Sequence, residues 1–180
     1  PDALMTLDHS VSAGGYYCQV TSSEEFGEVQ LQALKKRMLD LVQKNLPFER
    51  QTVPLDEAIT YFDSKGLKDK VQLLKYRQKE YLVLYSLGKH QDYHHGYMVP
   101  STGYLKWFDL VIMGEGFVLR FPRRNSPKTI TGMSSYPKLL ATFRQYGNWL
   151  HRLGSESVGA LTQSIEAGNI RESILVSEAL

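Results

Sequence analysis

Hydrophobic residues follow two spacings along this chain, one typical of strands and one typical of helices. The runs "ALMTL" and "GYYCQV" are β-prone, and the turn formers of "DHSVSAGG" join them, which predicts a hairpin over residues 3–20. Leu31, Leu34 and Met38 then repeat at helical spacing. They predict a helix that ends near Asn45, because a proline soon follows.

Later segments continue the mixture. We predict helices from Pro54 to Gly66 and over "DKVQLLKYR", and a loop over residues 90–103. The strands are "EYLVLYSL", "YLKWFDLVIM" and "GFVLRF", and the residues from "YPKLLATF" onward read as helices. Strands and helices do not alternate strictly, so the expected class is α+β, with an antiparallel sheet packed with helices.

Composition narrows the class of protein. The 180 residues carry 21 basic and 19 acidic side chains, a net charge of +2, which argues against nucleic acid as the main partner. Cys18 is the one cysteine in the sequence, so we expect no disulfide and a cytoplasmic location. No stretch has the length of a membrane span, and we expect no membrane partner.

Two kinds of catalytic motif are missing from the sequence. The chain contains no G-x-x-x-x-G-K-[ST] segment to hold a nucleotide's phosphates and no G-x-S-x-G nucleophile elbow. Cys18 lies in a predicted strand beside aromatic residues, and we interpret it as a small buried hydrophobe. We therefore predict no catalytic residues in this segment.

The loop "HQDYHHGYMVPSTG" contains three of the five histidines. His94, His95, Tyr97 and Met98 are the candidate ligand-binding residues, and Tyr97 is the aromatic residue expected to face a cleft. His90 and His94 are the candidates for a metal site, with zinc as the metal. Solvated loop histidines are the favoured alternative, so we expect no metal.

Two further groups of residues could bind a ligand, but a structural position explains each of them more simply. Trp107 and Phe108 could stack on a base, but in a strand we predict them to be core. Arg120, Arg123 and Arg124 form a basic cluster with Lys128 and are candidates to hold phosphate or RNA. A solvated connector is the favoured interpretation of that cluster.

Several stretches in order resemble a known family. "GGYYCQV", "KNLPFERQTVPLDEAITYF" and "GYMVPSTGYLKWFDL" resemble the second additional domain of threonyl-tRNA synthetases, which alanyl-tRNA synthetases share. The chain looks closer still to bacterial uridine kinase-like nucleoside kinases, which carry this module ahead of a P-loop kinase domain. This resemblance divides the chain into a synthetase-like domain, 1–125, and a helical connector, 126–180.

The resemblance also implies a function and a site. In the synthetases the domain hydrolyses mischarged aminoacyl-tRNA with an H-x-x-x-H pair and a later C-x-x-x-H pair. His94 and Met98 take the places of the later pair, and the earlier pair would lie before Pro1. A thioether such as that of Met98 does not accept a proton near neutral pH, which puts editing in doubt.

Two functional hypotheses follow from the resemblance. The leading one is an accessory domain of a uridine kinase-like enzyme that binds a nucleoside or an amino acid. ATP and Mg²⁺ would then belong to the downstream kinase domain, and a homodimer is a further expectation. The alternative is a metal-dependent editing-type hydrolase of aminoacyl-tRNA, in degenerate form.

Overall fold

The computed structural model describes residues 3–11, 14–21, 26–130, 132, 137–155 and 157–179. Over these residues the chain forms strands and helices without strict alternation, and the α+β prediction with antiparallel sheets is confirmed. The strands are β1 Leu4–Ser10, β2 Gly15–Thr21, β3 Glu49–Pro54, β4 Tyr81–Leu87, β5 His90–Tyr93, β6 Asp109–Met113 and β7 Gly116–Arg120. The helices are α1 Glu28–Lys44, α2 Leu55–Ser64, α3 Lys68–Lys75, α4 Pro137–Arg152, α5 Val158–Glu166 and α6 Ile170–Ala179.

The chain divides into two compact units, each built from more than one segment. The first unit comprises Pro1–Glu49, Ser86–Gln91 and Gly96–Ser135. The second unit comprises Arg50–Tyr85, Asp92–His95 and Tyr136–Leu180. The predicted boundary near residue 125 stays a prediction.

A four-stranded antiparallel sheet forms the frame of the first unit, in the order β1-β2-β7-β6. The predicted hairpin is confirmed as β1 and β2, and Gly114 takes a positive φ of 60° in the turn between β6 and β7. At Gly116, on the other side of that turn, a Cβ atom would collide with the carbonyl oxygen of Cys18 on the neighbouring strand. Only glycine lets these two backbones approach so closely.

Helix α1 supplies the other half of the first unit's core. Its hydrophobic face repeats at helical spacing, and Leu31 is buried against Phe117 and the other members of one cluster. Burying side chains of this size contributes about 1.5–3 kcal/mol each. The helix ends at Asn45, which takes the left-handed conformation with φ 49°. The predicted end of the helix is therefore confirmed.

The second unit packs helices α2 and α3 against part of a three-stranded sheet of order β3-β4-β5. Its core centres on Phe62, which is fully buried. The strands β3 and β5 were absent from the sequence prediction. In β3 only Val53 is buried, so no alternating pattern marks the strand, and β5 has only four residues.

The C-terminal helices are confirmed as α4, α5 and α6. Ser157 caps α5, because its hydroxyl accepts a hydrogen bond from the backbone N–H of Ala160 at 3.1 Å. Helix α5 packs on α3, where the Tyr76 hydroxyl donates to the Glu166 carboxylate at 2.7 Å. None of the helices in the described ranges is long and apolar enough to cross a membrane.

The segment before β6 corrects one strand prediction. Residues Thr102–Tyr104 form a short 3-10 turn, and the strand begins only at Asp109. The cause is Thr102, which is buried and whose hydroxyl donates to the carbonyl of Leu41 in α1 at 2.5 Å. Trp107 is half exposed, so its prediction as core was wrong, and Phe108 is only partly buried.

Candidate functional site

The histidine-rich segment contributes to a cavity in the second unit. The cavity has a volume of about 320 Å³. We call it the histidine pocket, and its lining residues are Lys70, Asp92, Tyr93, His94 and His95. Lys70 lies on α3, Asp92 and Tyr93 end strand β5, and the two histidines follow directly.

A short ion pair forms the polar centre of the histidine pocket. The Lys70 ammonium donates to Oδ2 of Asp92 at 2.6 Å. The other carboxylate oxygen, Oδ1, accepts from the backbone N–H of Tyr93 at 2.8 Å. Both oxygens of Asp92 are therefore engaged, and the carboxylate is fixed in place.

Aromatic rings hold the ammonium of Lys70 from the protein side. Its Nζ lies 5.3 Å from the ring centroid of Phe62 and 5.8 Å from that of Tyr93. The negative face of each ring attracts the cation, and the contacts restrict the flexible side chain. The charge of Lys70 is therefore positioned within the pocket rather than free to move through solvent.

Two imidazole rings complete the histidine pocket. His94 contacts Tyr85 edge-on with ring centroids 6.2 Å apart, and His95 contacts Tyr93 in the same way at 5.5 Å. Both histidines are exposed, and within the described residues neither ring makes a hydrogen bond. Their nitrogens are available to a ligand or to a proton from water.

The remaining candidates of the histidine-rich loop lie elsewhere. Tyr97 is 88% exposed and Met98 is half-buried, and both belong to the first unit. His90 is exposed at the start of β5. In the described part of the chain, no three His, Cys, Asp or Glu side chains come together to hold a metal ion.

The candidate arginines do not share one surface. Arg120 is 7% exposed, and its Nη1 lies 3.7 Å from Oδ2 of Asp109. The other oxygen of Asp109 accepts from Lys35 of α1 at 2.7 Å, so Arg120 belongs to a partly buried charge network. Arg123 and Arg124 are exposed, and a role in binding phosphate or RNA stays a prediction for them.

Cys18 is placed as the sequence predicts. The residue is 1% exposed, and its thiol donates weakly to the carbonyl of Tyr16 at 3.8 Å. Burial raises the pKa of this thiol above its ordinary value. A buried, protonated thiol is a poor nucleophile, which fits the interpretation as a small hydrophobe.

Sequence reasoning missed Lys70 and its ion pair. A signal was present, because Lys70 stands four residues before the buried Leu74 and therefore on the inner side of α3. A lysine on the inner face of a helix needs a partner. The sequence could not say that the partner is Asp92, which lies 22 residues further along the chain.

The chain is similar to part of a group of longer proteins. It is 38% identical over 112 residues to a threonine–tRNA ligase of Laribacter hongkongensis, a match that covers 62% of this chain and 18% of that protein. Threonine–tRNA ligases of Polaromonas naphthalenivorans and Leptothrix cholodnii are each 37% identical over 112 residues, with 18% and 17% of their lengths matched. The chain thus spans less than a fifth of these relatives. No family model matches it.

These relatives correct the expected function. The hypothesis of an accessory domain of a uridine kinase-like nucleoside kinase is wrong, because the matched proteins are threonine–tRNA ligases. They point to a domain related to aminoacyl-tRNA synthetases, and they support the alternative hypothesis, an editing-type hydrolase of aminoacyl-tRNA, better than the leading one. Over 112 residues the chain is therefore similar to one part of the threonine–tRNA ligases.

Proposed function

We propose that this chain is an editing-type domain that binds the aminoacylated end of a tRNA in the histidine pocket and hydrolyses its ester. The supporting observation is the pair of exposed imidazoles of His94 and His95 beside the ordered ion pair of Lys70 and Asp92. The similarity to threonine–tRNA ligases supplies the class of substrate.

Each lining residue has a chemical role in this proposal. His94 or His95 accepts a proton from a water molecule, since imidazole exchanges protons near neutral pH. The water oxygen forms a bond to the carbonyl carbon of the ester. The Lys70 ammonium stabilises the negative charge that develops on the carbonyl oxygen. The bond to the ribose oxygen then breaks, and that oxygen takes the proton from the imidazole.

The methionine at position 98 bears on which residue accepts the proton. The resemblance expects a histidine there, and the thioether of Met98 cannot take its place. His94 and His95 are adjacent in the sequence and line the same pocket, so either can act as the base.

Deacylation of charged tRNA tests the proposal. The substrates are threonine-specific tRNA carrying serine, valine or threonine. A pocket discriminates weakly between side chains that differ by one methyl group, as serine and threonine do, or that have the same shape, as valine and threonine do. We expect hydrolysis of a mischarged ester, lowered about 10²-fold or more in a His94→Ala, His95→Ala double variant. Lys70→Ala should lower it comparably, and Lys68→Ala, an exposed change on the same helix, should leave it unchanged.

Binding must be measured separately from hydrolysis. Association of the charged tRNA with the chain without any hydrolysis, with zinc or without, would contradict the editing proposal. That result would favour an accessory domain that only holds the aminoacyl end, which is the role that the methionine at position 98 favours. A rate unchanged in the double histidine variant would also overturn the assignment.

A further inference from the structure

A second cavity, in the first unit, has a different chemical character. It has a volume of about 320 Å³. We call it the apolar cleft, and its lining includes Met38, Leu41, Phe48, Trp107, Phe108 and Phe121. Four of these six side chains are aromatic, and every side chain that lines the cleft is uncharged. The volume falls at the lower end of the range for small-molecule sites, roughly 300–1,000 Å³.

The apolar cleft offers no free polar side chain to a ligand. Thr102 is the polar residue in its lining, and its hydroxyl is engaged twice. It donates to the carbonyl of Leu41 and accepts from the backbone N–H of Leu46 at 2.9 Å. A ligand with polar groups on its ring would lose its hydrogen bonds to water here without replacement.

The rim of the apolar cleft exposes large hydrophobic side chains. Trp107 is 50% exposed, Leu105 47% and Phe121 38%. Leaving such surface in water is costly, and a grouped set of this kind marks a binding site more often than a scattered one does. The flat Trp107 ring is suited to lie against a planar molecule.

A polar cavity lies beside the apolar cleft and shares Val42 with it. The volume of this cavity is about 700 Å³. Besides Val42, its lining residues are Gln43, Asn45, Gly103, Tyr104 and Lys106. Leu105 and Trp107 line the cleft, whereas Tyr104 and Lys106 line the polar cavity. Lys106 contributes the one charge in the lining of the two cavities, as far as the structure describes them.

We propose that the apolar cleft and the polar cavity together form one binding site for a planar apolar ring that carries a single anionic group. The ring lies in the cleft, where burial of its surface provides the affinity. The anion lies in the polar cavity near the ammonium of Lys106, with the amides of Gln43 and Asn45 as further donors. This site is independent of the proposed hydrolysis in the histidine pocket.

Titration with 2-naphthoate tests the site in the whole chain. The sequence has two tryptophans, so a Trp149→Phe variant leaves Trp107 as the only tryptophan reporter. We expect 2-naphthoate to quench Trp107 fluorescence saturably with one site per chain. Neutral 2-naphthalenemethanol should bind about two- to fivefold more weakly, because it lacks the ion pair. AMP, whose ring has polar edges, should not compete.

Two variants separate the contributions of the ring and the anion. Val42→Phe fills the boundary of the cavities and should weaken both naphthyl ligands at least tenfold. Lys106→Glu should weaken 2-naphthoate more than 2-naphthalenemethanol, and Lys36→Glu, an exposed change on α1, should affect neither. Circular dichroism checks the fold. If the Val42→Phe variant does not fold, the exposed change Lys106→Glu still tests the proposal.

Three results would overturn this proposal. The first is the absence of saturable quenching by 2-naphthoate up to about 1 mM. The second is competition by AMP, which would contradict the apolar ring. The third is an equal effect of Lys106→Glu and Lys36→Glu on 2-naphthoate, which would contradict the anion site.

Discussion

The histidine pocket of the second unit and the apolar cleft of the first have the same volume and opposite chemistry. The histidine pocket is lined by an ammonium, a carboxylate and two imidazoles, whereas the described residues that line the apolar cleft carry no charge. In the histidine pocket, hydrogen bonds position Lys70 and Asp92, and both imidazoles are exposed to solvent. In the apolar cleft, the hydroxyl of Thr102 makes both of its hydrogen bonds to the protein backbone. The other described lining residues offer hydrophobic surface to a ligand.

The difference between the two cavities shows that volume alone does not indicate function. Reaction chemistry requires groups that accept or donate protons and a fixed charge, and these occur together in the histidine pocket. The apolar cleft can bind a ligand but has no group to transform one. Three changes test this comparison, and a fourth tests the contact between Tyr76 and α5. They follow from the largest expected effect to the smallest.

Phe62→Ala should cause the largest loss of stability. The side chain is fully buried and its ring lies under the ammonium of Lys70. Its removal leaves a cavity in the core of the second unit and should lower the free energy of unfolding by about 3–5 kcal/mol. Urea unfolding followed by circular dichroism measures this, with Phe62→Leu as the milder control. If Phe62→Ala lowered the free energy of unfolding by less than about 1 kcal/mol, the ring of Phe62 would not be a main support of the histidine pocket.

Thr102→Val tests the polar anchor of the apolar cleft. The change leaves two partly buried groups, the carbonyl of Leu41 and the N–H of Leu46, without the threonine hydroxyl as partner. We expect a loss of about 1–3 kcal/mol in the free energy of unfolding. The exposed Thr142, whose hydroxyl also donates to a carbonyl, provides the matched control, and Thr142→Val should stay within about 0.5 kcal/mol. Equal effects of the two changes would contradict the account.

Lys70→Met separates function from stability in the histidine pocket. The Lys70 and Asp92 side chains are 24% and 42% exposed, and a pair this open to solvent contributes at most about 1 kcal/mol. We therefore expect a small change in the urea midpoint and a large loss of deacylation. A loss of stability well above this value would make the ion pair structural.

Tyr76→Phe has the smallest expected effect, and it depends on pH. The Glu166 carboxylate that accepts from Tyr76 raises the pKa of this phenol above its ordinary value of 10.0. Because the folded-state pKa is the higher one, the bond stabilises the fold below about pH 10 and is lost as the pH rises through that pKa. The difference in urea midpoint between the unchanged chain and the variant should shrink above about pH 10. Tyr146→Phe on α4 should show no such trend.

The sequence predicted secondary structure correctly where a hydrophobic repeat extends over many residues. The helix that became α1 and the hairpin of β1 and β2 follow from repeated spacing, which local physics enforces. The sequence did not predict the short strand β5 or the exposure of Trp107. The place of Trp107 depends on contacts between distant residues, such as Thr102 with Leu41, and β5 has only four residues, too few to show a repeat. Local propensity contains no information about those partners.

The site shows the same limit. His94 and His95 could be selected from composition, because three histidines in nine residues are conspicuous. Lys70 could not be joined to them, since 22 residues separate it from Asp92. Arg120 was expected with a surface cluster and lies buried beside Asp109 instead. A run of basic residues does not reveal which side chains point inward.

The most direct test of the proposed function is a titration of the five histidine side chains by nuclear magnetic resonance. The ligand is an adenosine that carries an amino acid through an amide in place of the ester, so that hydrolysis cannot occur. We expect the imidazole signals of His94 and His95 to shift together and saturate, whereas those of His9 and His151 do not move. Shifts confined to histidines outside the histidine pocket, or no shift at all, would contradict it.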